Sequence, residues 1–293
     1  MNGRMRESAA GYGFILPNFL GFMLFTSLPV VASLLLSFYR WDLLSWPPKF
    51  VGLGNFRELV HDAHFWHYCW NTVFLMIGIP ISMFASLLLA VLMNQKLPGM
   101  TFFKTVYFLP SITSGIAIYV LWAWIYNPEF GLMNWLLAQF GVEGPRWLES
   151  VTWAKPAMVI MGIWGSMGGM DLILYLAALQ GVDPQLYEAA EMDGAGAWQR
   201  FWKITWPMVS PTTFFILIMG IIGGFQGGFD MAYVMTHGGP AGATTTVSYY
   251  IYNNAYEWFH MGYAAAIAWV LFLVILLVTL VNWLYSQRLV HYE

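Results

Sequence analysis

The sequence has little charge. Only 9% of its 293 residues are Asp, Glu, Lys or Arg, against about 25% in soluble domains. The formal net charge is −3, and the twelve Lys and Arg are scattered. Without a basic patch or stripe, nucleic-acid binding is excluded. Cys69 is the only cysteine, so the chain forms no internal disulfide and carries no mark of redox compartment. It also lacks a glycine-led phosphate loop. The only lysine followed by Ser or Thr is Lys104-Thr105, and it comes after Phe103 where such a loop needs glycine. G-x-S-x-G and H-E-x-x-H are absent as well.

What fills the sequence is apolar. Hydrophobic residues make up 59%, aromatics 18%, and the mean hydropathy is +0.61, which predicts a polytopic membrane protein. A spanning helix needs about 20 mainly apolar residues, because lipid cannot satisfy exposed backbone groups. Six stretches qualify: Tyr12 to Phe38, Asn71 to Met93, Val106 to Tyr126, Ala157 to Leu179, Thr212 to Met235 and Ala264 to Tyr285. The first follows Arg4 and Arg6 but is too long for a signal peptide, so an uncleaved span is expected. Arg4, Arg6, Lys96, Lys104, Arg200, Lys203 and Arg288 fall on one side, and Arg40, Lys49, Arg57, Arg146 and Lys155 on the other. This slight bias places both termini in the cytoplasm.

The loops differ in character. The first, with Trp41, Trp46, Trp66 and Trp70, reads in its second half as an amphipathic helix at the outer interface. His61, His64 and His67 lie there at three-residue steps that swing ligands around a helix, and no carboxylate or cysteine completes a metal set. The third loop holds a short helix, Leu132 to Phe140, between proline and glycine punctuation. The fifth contains no Lys or Arg.

Charge gathers between the fourth and fifth spans. The stretch EAAEMDGAGAWQRFWKITWP, Glu188 to Pro207, holds Glu188, Glu191, Asp193, Arg200 and Lys203 around Gly194 and Gly196. Asp183 followed by Pro184 reads as an N-cap with proline at the first helical position, opening a helix through Glu191. Gly194 is expected to stop it, since glycine accepts a left-handed backbone without a Cβ clash. A second short helix is expected from Ala197 to Thr205, ended or redirected by Pro207. Adjacent alanines keep one face thin, and the acids offer charge to a partner's arginine. An ordinary amphipathic loop with solvated charges is the alternative.

At these positions the sequence resembles the membrane subunits of binding-protein-dependent, ATP-driven importers, whose shared signature runs E-A-A, then Gly, then I-x-L-P. Here it stands as Glu188-Ala189-Ala190, Asp193-Gly194-Ala195, Ile204 and Pro207, with Trp206 in place of the usual leucine. KTVYFLPS (Lys104 to Ser111), YNPEFG (Tyr126 to Gly131), THGGP (Thr236 to Pro240) and MGYAAAIAWVLF (Met261 to Phe272) resemble the carbohydrate-uptake group, of maltose and glycerol-phosphate type. The resemblance implies an all-α, six-span, type I importer permease fold. It also implies a division into residues 1–69 (tail, first span and outer loop), a permease domain at 70–285 and a cytoplasmic tail at 286–293. The loop Gln185–Pro207 would dock on an ATPase dimer, with Glu188 as the charged contact and Gly194 setting the angle between its helices. ATP and Mg would be bound by that partner, leaving this chain without a catalytic residue, cofactor or metal. A second homologous permease, an extracytoplasmic solute-binding protein touching Gly238, Gly239 and Pro240, and a bacterial or archaeal plasma membrane complete the expectation.

Polar residues inside the spans need a reason. Asp171, Gln226 and Asp230 lie in apolar sequence, where a carboxylate costs about 2.5–3.5 kcal/mol on insertion scales unless it faces protein or a wet path. A solute path is the expectation, the alternative being that Asp230 pairs with a neighbouring helix. Trp164, Phe225, Phe229 and Tyr233 add aromatic faces suited to the C–H side of a sugar ring. Aligned on the signatures, the family's sugar contacts fall near Ser166, Met170, Phe225, Gly228 and Asp230. Gly165 and Gly169, and Gly220, Gly224 and Gly228, recur at four-residue steps that let helices approach closely. A stand-alone secondary transporter or channel is the rival class, but it predicts inverted repeats and a chain of intramembrane acids or histidines, which are not seen. A membrane-embedded enzyme would need facing carboxylates or a nucleophile with its base, and these are missing too.

Overall fold

The computed structural model describes residues 3–95 and 97–289. Lys96 and the last four residues of the expected tail lie outside the described residues. The first span is α1 (Gly3–Phe22) and α2 (Leu28–Leu36), joined by the π segment Met23–Ser27. A two-stranded antiparallel ribbon follows, β1 (Tyr39–Arg40) with β2 (Lys49–Phe50), pairing Tyr39 with Phe50. Next come α3 (Gly54–His61), α4 (Ala63–Leu75) and α5 (Gly78–Met93). Helices α6 (Met100–Ile112) and α7 (Gly115–Ile125) lead to the short α8 (Leu132–Gln139). The fourth span comprises α9 (Ala154–Met167) and α10 (Met170–Gln180). Beyond it are α11 (Pro184–Met192), α12 (Ala197–Arg200), the π segment Phe201–Thr205, α13 (Trp206–Gln226) and α14 (Phe229–Thr236). The described chain closes with α15 (Val247–Tyr252), the π segment Asn253–Glu257 and α16 (Met261–Leu289).

Five helices among the described residues are long and apolar enough to cross a membrane, and a bent pair supplies a sixth. The spans therefore fall where hydropathy places them, with three differences. The third is two helices meeting at 99°, because Thr113 and Ser114 leave the helical conformation. The second begins at Ala63, not Asn71, so His64, His67, Trp66 and Trp70 ride on the span, and the interfacial helix stops at His61. The fifth starts at Ala197 and runs unbroken to Gln226. Pro207 does not end it: the π segment Phe201–Thr205 just before it, with the Trp206 amide bonded to Phe201 O, carries the helix past the proline's missing donor.

The chain forms two compact units. In one, Ile251–Phe272 joins the segment ending at Asp62; the other is built on Ala63–Tyr250 and takes in the chain from Leu273. The first is held by Asn55, 2% exposed, which donates to the carbonyls of Ser37 and Tyr39 at 2.8 and 2.9 Å. The Tyr263 hydroxyl also donates to Asp62 at 2.7 Å.

In the second unit α5 is the hub, packing on α9, α10 and α13. Gly78, Ser82, Ser86 and Ala90 form a column of small residues at four-residue steps along its buried face. Lipid tails are as apolar as leucine, so close van der Waals approach, not water exclusion, holds membrane helices together. A small column serves that end. Met83, Leu87, Leu172, Tyr175, Val209 and Ile216 complete this core. A second cluster joins Trp122, Tyr126, Trp147, Ala157, Met161 and Met235.

Candidate functional site

The charged segment folds as a helical hairpin. The Asp183 carboxylate accepts from the Gln185 amide at 2.9 Å, capping α11 with Pro184 in its first turn. At the other end Gly194 takes φ +77°. Its amide donates to Glu191 O at 3.0 Å, and the Ala195 amide to Ala190 O at 2.8 Å. That bond pattern is a Schellman stop, which wants glycine at the left-handed position. The two arms are tied by the hydroxyls of Tyr187 and Thr205, 3.0 Å apart, and by an ion pair between Arg200 and Glu191. The signature residues Glu188, Ala189, Asp193, Gly194 and Pro207 are exposed, with Ala190 and Ile204 half-buried. Met192 at the tip is 90% exposed. A notch of about 380 Å³ between the arms is lined by Ala190, Asp193, Arg200, Lys203 and Ile204 among others.

The intramembrane polar residues cluster at two helix breaks. The fourth span breaks at Gly168-Gly169, with Trp164 and Ser166 before it and Met170 and Asp171 after it. The fifth-span helix ends at Gln226 and resumes at Phe229; Phe225 and Gln226 precede the break, Gly228 lies in it with φ +84°, and Asp230 and Tyr233 follow. Each break frees a carbonyl, and each is capped by a serine. The Ser86 hydroxyl donates to Met167 O, and the Ser248 hydroxyl to Gly227 O, both at 3.0 Å. Asp171 and Asp230 both sit in the first turn of the helix that resumes, where the helix dipole favours an anion. Among the described residues neither enters an ion pair. Irregular backbone at membrane depth is tolerated where it is covered by protein or lines water.

The residues expected along a solute path stand on several helices. Trp164 meets Trp122 of α7 edge-on at 5.5 Å, and α7 packs on α14, which carries Asp230 and Tyr233. Met170 and Asp171 stand on α10, which packs on α5 and α13, and α9 with Trp164 packs on α5 as well. Trp122, Ser86 and Ser248 were not legible in the sequence; each reads there as an ordinary member of a span or loop. Of the glycine columns, the fifth-span one packs as expected. A Cβ on Gly220 would come within 2.8 Å of Ile79, and one on Gly224 within 2.8 Å of Met76. In the fourth span Gly165 has open space around it, and the close approach is at Gly168, where a Cβ would strike the Tyr107 carbonyl.

The THGGP loop is built inward. Gly238 is buried, with Gly239 and Pro240 half-buried. Asn71, fully buried, donates to Gly242 O at 2.9 Å and Thr245 O at 3.0 Å, and accepts from Lys155 at 3.0 Å. Thr236 and Thr244 hydroxyls meet at 2.6 Å, and the Thr245 hydroxyl donates to Gly238 O at 3.0 Å.

Apolar spans broken around polar residues define a multi-pass membrane transport protein. The chain belongs to the family described as binding-protein-dependent transport system inner membrane component, which matches residues 15–291. It is 36% identical to the probable ABC transporter permease protein YesP of Bacillus subtilis, over 98% of this chain and 94% of that one. It is 34% identical to the trehalose/maltose transport system permease protein MalF of Thermococcus litoralis, over 95% and 94% respectively. The fold is that of a type I importer permease: a chain of a bacterial alginate ABC transporter, crystallised with an alginate pentasaccharide-bound periplasmic protein, superposes with a TM-score of 0.85. That likeness has 24% identity and covers 97% of this chain and 96% of the other.

Proposed function

We propose that the chain is the permease subunit of an ATP-driven importer for a sugar or related polyol, forming half of a translocation path with a second, homologous permease. The hairpin Gln185–Pro207 faces the cytoplasm, as do both termini, and docks on an ATPase dimer that binds ATP and Mg. A solute-binding protein delivers the sugar outside, meeting the half-buried loop edge at Gly239 and Pro240, with the expected contact Gly238 buried beneath them. The observation that carries the coupling role is the hairpin's exposed apolar tip, Met192 beside Glu188, on a turn stiffened by capping at both ends. The hairpin also presents Glu188, exposed, to a partner's cation, and the Arg200–Glu191 pair and the Tyr187–Thr205 hydroxyl contact tie its arms into one body able to pass on a push. Sugar is supported by relatives of trehalose/maltose type and by the aromatic residues beside each break, Trp164, Phe225 and Tyr233, with Ser166, Met170, Asp171, Gln226, Gly228 and Asp230 completing the path.

The test is reconstitution. With the second permease, ATPase and binding protein in vesicles, a labelled sugar should accumulate only when ATP is supplied to the ATPase. Sugar uptake by this chain alone, driven by an ion gradient, would overturn the reading.

A further inference from the structure

The second arm of the hairpin carries Trp198, Trp202 and Trp206 at four-residue steps. Their rings form a continuous column, Trp198 to Trp202 at 5.6 Å and Trp202 to Trp206 at 5.7 Å. Four residues advance an α-helix by about 400°, roughly 40° past a full turn, so such a column drifts around the axis. The π segment Phe201–Thr205 closes wider turns and winds more slowly, which brings Trp206 back into line. Phe201 and Thr205 are buried and Trp206 is half-buried against the core at the column's foot, whereas Trp198 is 69% and Trp202 42% exposed.

The column stands where charge gives way to lipid-compatible sequence. Lys203 is the last charged residue before Asp230, and an uncharged run from Ile204 to Phe229 follows it along the fifth span. An apolar ring with one polar N–H favours the headgroup level. Lys203 is exposed and enters no ion pair among the described residues, while Arg200 is already paired with Glu191. An unspent cation at that level attracts anionic headgroups.

We propose that the Trp198–Trp202–Trp206 column is a lipid-docking surface seated in the headgroup layer on the hairpin's side of the membrane, with Lys203 taking the phosphate of an anionic phospholipid. The assignment needs only that the fifth span crosses the bilayer and is independent of the hairpin's coupling role.

Fluorescence quenching in the assembled transporter tests it. In a Cys69→Ser background, Trp202→Cys carries an environment-sensitive probe, and the vesicles hold lipids with a nitroxide at the headgroup or at the chain end. The headgroup nitroxide should quench about twofold more strongly. Phosphatidylglycerol with a nitroxide high on its chain should associate with the probe about fivefold more than the matching phosphatidylcholine, a preference lost in Lys203→Gln. A probe that neither nitroxide quenches in the assembled transporter would put protein over the column and overturn the proposal. Equal quenching by the two lipids would overturn the role of Lys203. Trp198→Cys gives the same readout should Trp202→Cys fail to assemble.

Discussion

The hairpin Gln185–Pro207 and the loop running from Thr236 to Val247 each turn on a glycine with φ +77°, Gly194 in one and Gly238 in the other. Everything around those two glycines differs. A Cβ on Gly238 would lie 2.5 Å from Thr245 Oγ1 and 2.9 Å from the Tyr249 ring, whereas one on Gly194 meets nothing within 4 Å. Thr244 is fully buried and bonds backbone and side chain around it; Met192, 90% exposed, meets solvent. The same backbone conformation is thus locked by packing in one place and presented bare in the other. A scaffold needs the first arrangement, and a surface kept for a partner needs the second.

Four substitutions sharpen the contrast, taken by their expected effect on stability. Asn71→Leu removes the side chain that satisfies two loop carbonyls and Lys155, and should lower stability by about 3 kcal/mol. A clear drop in the melting temperature of the detergent-purified protein is the measure. Gly238→Ala combines a left-handed backbone with a steric clash and should lower stability by about 2 kcal/mol in the same assay. Gly194→Ala meets only the backbone preference, about 1 kcal/mol confined to the hairpin, so melting should move little while sugar-stimulated ATP hydrolysis falls. Glu188→Lys, exposed, should change stability by no more than about 0.5 kcal/mol yet abolish ATP-dependent uptake with membrane insertion intact. Equal melting shifts for Gly194→Ala and Gly238→Ala would break the comparison.

Much of the hairpin was legible because its signals are local. Asp183 with Pro184 and the glycine at 194 define a cap and a stop within a few residues, and both formed as expected. Span positions were legible for the same reason, hydropathy being a sum over neighbours. The breaks were not. Gly168-Gly169 and Gly227-Gly228 sit between apolar flanks, and a glycine pair reads equally as a packing face; in the fifth span the packing falls on Gly220 and Gly224 and the break on Gly227-Gly228, whereas Gly168 serves both. The second span's early start was hidden because His64, His67 and Tyr68 look polar in a hydropathy window. The loop's wiring was hidden by distance, since Asn71 reaches carbonyls more than 170 positions further along the chain.

One feature of the fifth span ties these regions into a mechanical element. From Ala197 to Gln226 the helix has no interruption of its rod, about 45 Å at 1.5 Å per residue. The π segment Phe201–Thr205, Pro207 and Pro211 are the places along that length where the helix can bend, so a tilt imposed on the hairpin's second arm passes through them before it reaches the middle of the span. The helix itself ends only at Gly227-Gly228, two residues before Asp230.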